Sequence, residues 1–118
     1  KEKLSNVIGI IDRNNIQIDG PTEHVMPLED LSAKWTAFGW HVIEVNGNNI
    51  EDFIDACAMA RTIVEKPVII IAHTVPGEGV DFMEYDFHWH GKPPDKKQAK
   101  QALHELRTLG GKIKSEHQ

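Results

Sequence analysis

Residues 6–11, reading Asn-Val-Ile-Gly-Ile-Ile, form a short, almost continuous apolar run rich in β-branched side chains. That is the pattern of a strand buried on both faces, and such strands belong to parallel sheets, where helices cover the sheet on each side. Residues 40–45 and 68–72 read as two further strands. Between them lie stripes at helical spacing. Leu28, Leu31, Trp35 and Phe38 define a short amphipathic helix stopped by Gly39, a residue suited to a helix C-terminus. Ile50, Phe53, Ile54, Cys57, Ala60 and Val64 lay down a second stripe after the break at Asn46-Gly47-Asn48-Asn49, ending at Lys66-Pro67, where proline cannot continue a helix. Ala99, Ala102, Leu103, Leu106 and Leu109 form a third, with Asp95 as N-cap and Gly110-Gly111 as stop. The order strand, helix, strand, helix, strand, helix predicts an α/β fold: a parallel sheet joined by right-handed crossovers and covered by helices on both faces.

Two long loops remain, residues 12–27 and 73–94, the first with no helical periodicity. Both leave the carboxyl ends of predicted strands, where ligands collect in sheets of this kind, and loops of such length in a compact domain tend to be functional. Composition narrows the ligand. A formal charge of −5, with both signs interspersed, gives no basic surface to neutralise nucleic-acid phosphates, and the longest apolar stretch is far short of the roughly 20 residues needed to cross a bilayer. Neither nucleic acid nor membrane is an expected partner. Cys57 is the single cysteine and sits among Ala56, Ala58 and Met59 at a helical core position, which argues against disulfides and a Cys-based metal site and fits a soluble protein of the reducing cytoplasm.

Three segments could carry chemistry. Residues 12–20 end a strand in amide and carboxylate side chains, oxygen donors that suit Mg²⁺ or Ca²⁺ better than zinc, although any turn after a strand contains Asp, Asn and Gly. Residues 73–80 hold Gly77 and Gly79 but match neither the P-loop nor the dinucleotide fingerprint. In Phe87-His88-Trp89-His90-Gly91-Lys92-Pro93 two histidines flank a tryptophan, yet His24, His41, His73 and His104 offer no third zinc ligand at companion spacing. A histidine beside a glycine in a loop can also be a general acid, a base or an anion contact.

Taken in order, these segments resemble the second half of the diphosphate-binding domain of transketolase. The matching stretches are residues 6–20, residues 27–45 around Lys34-Trp35-x-Ala37-Phe38-Gly39-Trp40, residues 66–80, and Trp89-His90-Gly91-Lys92-Pro93, together nearly the whole chain. The resemblance implies that the Asn14 side chain and the Ile16 carbonyl hold a divalent cation, Mg²⁺ or Ca²⁺, that bridges the two phosphates of thiamine diphosphate. It also implies that Ile18 packs against the cofactor ring, and that His90 meets the diphosphate and the reacting centre as the catalytic histidine. It implies further a partial domain over residues 1–118, a partner in the form of a pyrimidine-binding domain or subunit within a homo- or hetero-oligomer, and sugar phosphates as substrates of a two-carbon ketol transfer. The family's Gly-Asp-Gly, whose Asp ligates the metal, is expected upstream of Lys1, and its activating glutamate on the partner, so the segment alone is expected to be inactive and to self-associate through exposed apolar surface. The chain departs from many relatives at Pro76 and Glu78: either Glu78 faces solvent or the substrate is weakly charged. A non-catalytic interaction or regulatory module that keeps the fold without the site is the alternative.

Overall fold

The computed structural model describes residues 4–108. Three parallel strands, β1 (Ile8–Arg13), β4 (His41–Asn46) and β5 (Val68–His73), form a sheet in the order β1-β5-β4. A small antiparallel pair, β2 (Ile16–Gln17) with β3 (Gly20–Pro21), and one turn of helix, α1 (Thr22–Val25), occupy the first long loop. The larger helices are α2 (Leu31–Ala37), α3 (Ile50–Thr62) and α4 (Lys96–Thr108). Among the described residues no helix is long and apolar enough to cross a membrane.

Because the chain goes from β1 past the position of β5 to β4 and then back to β5, right-handed crossovers must place their helices on opposite faces. They do. Ile43, Val68 and Ile70 point to one face, where Ala56 and Ala60 of α3 close the core and Phe53, Cys57 and Ile63 pack around it. Ile69, Ile71, Glu44 and His73 point to the other. There a Cβ on Gly9 would come within 2.8 Å of Ile69 Cδ1 and 3.7 Å of the Trp40 ring, and Trp40 meets Trp35 of α2 edge to face with centroids 5.0 Å apart. The sheet is therefore parallel with helices on both faces, as expected.

Several boundaries differ from the sequence reading. The first strand runs two residues later than residues 6–11 and is not buried on both faces: Ile8 is 43% and Ile10 56% exposed, because β1 is an edge strand. The run that is buried on both faces is β5, with Val68, Ile69, Ile70, Ile71 and Ala72 all at or below 4% exposure. Helix α2 starts at Leu31, not Leu28, since Asp30 caps it by accepting from the Ala33 N–H at 3.0 Å. Helix α3 stops at Thr62, short of Lys66-Pro67, where the backbone turns extended at Ile63. Asp95 caps α4 through the N–H groups of Lys97 and Gln98, both at 2.8 Å. Leu109 and the expected stop at Gly110-Gly111 lie outside the described residues. Apolar surface is exposed on the β1 edge and at Ile50, Ile54 and Met59 of α3.

The first loop is tied down by one side chain. Arg13, on the α2 face at the end of β1, is 4% exposed and donates to Thr22 Oγ1 at 2.7 Å, Glu23 Oε1 at 2.7 Å and Glu29 Oε1 at 2.8 Å. Burial works against its charge, but the hydrogen bonds and Coulombic attraction of Glu29 and Glu23 outweigh it and hold the guanidinium protonated. The glutamates are held below the ordinary carboxylate range, Glu23 chiefly by the Leu28 N–H with Arg13 adding to it, Glu29 chiefly by Arg13. Lys34 closes the far end, donating to the carbonyls of Leu28 at 2.7 Å and Glu29 at 3.1 Å.

The end of α2 generates one prediction. Gly39 sits at φ +86°, its N–H donates to Thr36 O at 2.9 Å and the Trp40 N–H to Trp35 O at 3.1 Å, the paired bonds of a Schellman ending. A Cβ there would meet nothing within 4 Å, so Gly39→Ala should cost about 1 kcal/mol through left-handed strain alone, read from the urea midpoint of the intact protein. The Arg13 cluster generates another. Folded-state depression of the Glu23 and Glu29 carboxyls gives stability that is fully present above about pH 4.5, their ordinary value, and is lost as pH falls through the depressed values. Urea midpoints of the wild type and of a Glu23→Gln, Glu29→Gln double variant should differ near neutrality and converge in acid; a gap that widens on acidification would contradict this.

Candidate functional site

Parallel pairing brings the two long loops off the same end of the sheet on neighbouring strands. Arg13 of β1 is in register with His73 of β5, and the ladder continues one residue further through the Thr74 N–H to Arg13 O at 3.2 Å. The Thr74 hydroxyl also donates to the Asp12 carboxylate. On the other side Asn46 of β4 pairs with His73, the Gly47 N–H donates to His73 O at 2.7 Å, and Asn48 Oδ1 accepts from the Val75 N–H at 2.7 Å. Gly47 is required here: a Cβ would stand 2.5 Å from Thr74 Cγ2 and 3.0 Å from Ala72 Cβ. The carboxyl ends of three strands are thus stitched into one ledge, from which the loops rise.

Asn14 is the first residue beyond β1. Its Oδ1 accepts from the Ile16 N–H at 3.1 Å, a local turn that fixes the amide plane, while Asn15 adopts a left-handed φ of 63° and its carbonyl accepts from the Thr22 N–H at 2.9 Å. The short β2–β3 pair, Ile16 opposite Pro21 and Gln17 opposite Gly20, then turns the chain back. Asn14 and Ile16 are part-buried and Ile18, at the tip, is 68% exposed, an apolar side chain presented to whatever lies above the loop. The donors gathered here are a side-chain amide oxygen and backbone carbonyls, hard and neutral, a set that suits Mg²⁺ or Ca²⁺ but provides no charge of its own. Asp12, the nearest carboxylate in sequence, is engaged by Thr74.

The second loop is pinned by Trp89. Its Nε1–H donates to Phe82 O at 2.9 Å, its ring meets Phe82 edge to face with centroids 5.4 Å apart, and Lys92 Nζ lies 5.4 Å from its centroid. A single 3-10 turn, Phe87–Trp89, is capped by Asp86, which accepts from the His88 N–H at 3.0 Å and contacts His88 Nδ1 at 2.7 Å; the Asp86 carboxyl is held low by the first of these bonds and then by the imidazole. His88 also stacks on Phe87, so its ring is engaged by Asp86 and Phe87 and makes no pair with its neighbour across Trp89. His90 ends the turn through its N–H to Phe87 O at 3.0 Å, and its exposed imidazole has no hydrogen-bond or ion-pair partner among the described residues. No group of three or more His, Cys, Asp or Glu among the described residues is placed to hold a metal ion.

Glu78 is exposed, which supports its facing solvent. Gly77, at φ +76°, lies where a Cβ would stand 2.8 Å from the Met83 carbonyl; it permits the tight fold of residues 74–86, with the Tyr85 N–H bonded to Pro76 O at 3.1 Å. The structure thus places Asn14 and Ile16 together, Ile18 at the tip of the same loop, and His90 on the other loop, with no hydrogen bond, ion pair or ring contact between His90 and those three. Sequence reasoning missed Arg13, Asn48 and the Trp89 anchor. Arg13 carried a usable signal, since it has the parity of Gly9 and Ile11 and so continues the inward face of β1 with a charge.

Comparison with known proteins bears on this arrangement. The sequence profile of the family described as transketolase, thiamine diphosphate binding domain, matches residues 1–110. One of the subunits of the apulose-4-phosphate transketolase of Phocaeicola vulgatus is 42% identical over 115 residues, 98% of this chain and 41% of that protein. The 6-deoxy-6-sulfo-D-fructose transketolase subunit SqwG of a Clostridium species is 36% identical over 108 residues, 92% of this chain and 39% of that protein. The crystal structure of transketolase from Campylobacter jejuni superposes with a TM-score of 0.80 at 31% identity, covering 89% of this chain and 16% of that enzyme. The chain therefore spans less than half the length of the relatives it matches. A parallel α/β sheet with the profile match over nearly all its residues leaves one assignment: the chain belongs to the transketolase family, within its thiamine diphosphate binding domain.

Proposed function

We propose that this chain supplies the diphosphate and cation side of a transketolase site that transfers a two-carbon ketol unit from a ketose phosphate to an aldose phosphate. The observation that supports the reading is the register of β1 with β5, which sends the loop bearing Asn14, Ile16 and Ile18 and the loop bearing His90 off one end of the sheet. In this reading Asn14 Oδ1 and the Ile16 carbonyl ligate Mg²⁺ or Ca²⁺ against the diphosphate of thiamine diphosphate, and Ile18 covers an apolar part of the cofactor. When bound, that cofactor supplies the carbanion chemistry of the transfer. His90 donates a proton or hydrogen bond to oxygen at the reacting centre, and the Trp89 anchor sets where its imidazole stands.

The donors on this chain are neutral, so the charge that a hard cation requires comes from the diphosphate and from a carboxylate outside these residues. The segment alone is accordingly inactive in this proposal, and a pyrimidine-binding domain or subunit completes the site. The two relatives named as transketolase subunits favour a separate partner chain. We place the assembly in the cytoplasm as part of the same proposal, in keeping with the lone unpaired Cys57.

One experiment on the assembled holoprotein tests the roles separately. Asn14→Ala should weaken magnesium-dependent thiamine diphosphate binding, followed by titration calorimetry, by more than about tenfold, since losing a direct ligand costs at least as much as losing an outer one. His90→Ala should weaken that binding far less than Asn14→Ala does and lower kcat about 100-fold. Unchanged magnesium dependence in Asn14→Ala would remove the proposed cation site.

A further inference from the structure

We infer that Arg13 is a positioning residue for the cation donors, acting through Thr22 on the peptide between them; the inference rests on the proposed roles of Asn14 and Ile16. The guanidinium donates to Thr22 Oγ1 at 2.7 Å, and the backbone N–H of the same Thr22 donates to the carbonyl of Asn15 at 2.9 Å. Asn15 is the residue between the two donors, and it adopts φ 63°, a left-handed conformation that asparagine tolerates and that the bond from Thr22 to its carbonyl fixes in place. The connection runs from Arg13 to Thr22 to Asn15, and Asn14 and Ile16 are the immediate neighbours on either side. Glu23 and Glu29 occupy the remaining fork of the guanidinium, which keeps it turned toward Thr22.

Stability alone does not account for this arrangement. Arg13 is 4% exposed, and its Nε has no hydrogen-bond partner among the described residues. A buried charge with an unsatisfied donor is seldom better than an apolar side chain of similar size, and such groups are retained where position matters. Glu23 and Glu29 are 41% and 58% exposed, so they remain hydrated without Arg13. Magnesium, by contrast, demands near-octahedral oxygen geometry, which a loop of residues 14–29 with only a two-residue strand pair and one helical turn of its own holds poorly unless tied from outside. Lysine carries the charge but lacks the planar fork that reaches three acceptors.

The test uses the assembled holoprotein with Arg13→Lys, Thr22→Val and Asn14→Ala, measuring thermal unfolding without ligand and the Mg²⁺ concentration that half-saturates thiamine diphosphate binding. Both Arg13→Lys and Thr22→Val should raise that concentration about tenfold or more, by amounts that do not track whatever unliganded melting temperature each variant loses. The inference is overturned if both bind Mg²⁺ like wild type, or if the loss of affinity follows the loss of melting temperature from variant to variant. If Asn14→Ala destroys magnesium dependence and the other two do not, the Arg13 inference alone fails; if Asn14→Ala is also without effect, the cation site fails with it.

Discussion

The parallel ladder between β1 and β5 is the constraint on which the rest depends. It is an unequal partnership. Strand β5 is sealed on both faces and paired on both edges, whereas β1 is an edge strand with Ile8 and Ile10 open to solvent. The buried strand sets the position of the open one: six residues in register fix where Arg13 ends, and from there where Asn14 begins. A slip of one residue would turn Arg13 from the α2 side to the α3 side and take the whole first loop with it. The proposed cation donors therefore follow the strand whose outer residues are the most open to solvent.

Charge does for the first loop what packing does for the sheet. Residues 14–29 have little apolar burial, and Ile18 and Met26 are both 68% exposed. What holds the loop is Arg13 from one side and Lys34 from the other, joined by backbone N–H groups that satisfy Glu23 and Glu29. The second loop uses an aromatic device, with Trp89 bonded to Phe82 and covered by Lys92. In both loops the anchor is the neighbour in sequence of a proposed site residue: Arg13 beside Asn14, and Trp89 beside His90.

Much of this was legible in the residues. Short β-branched runs separated by helical stripes gave the three strands and the order of helices, because strand and helix periods differ and Gly39, Asn49 and Asp95 mark the boundaries with known chemistry. The depth of each strand was not legible. Residues 6–11 and 68–72 look alike in composition, and which becomes the centre depends on a crossover that skips a position, a tertiary fact with no local signal. The interior of the first loop was hidden for another reason: its two-residue strands and single helical turn are too short for any period, and long-range bonds to Arg13 stabilise them. Of the candidate site, the oxygen donors of residues 14–16 could be named from the sequence, but that Asp86 and Phe87 engage His88 while His90 has no hydrogen-bond or ion-pair partner among the described residues required the folded contacts.

The central claim is that the carboxyl-end loops of β1 and β5 converge on one bound diphosphate. A crystal structure of the assembled protein with thiamine diphosphate and Mg²⁺ measures this directly. The account predicts Asn14 Oδ1 and the Ile16 carbonyl on the cation at about 2.1 Å, with the His90 imidazole on the same cofactor molecule. A cation ligated elsewhere, or His90 turned to the opposite side of the domain from the diphosphate, would contradict it.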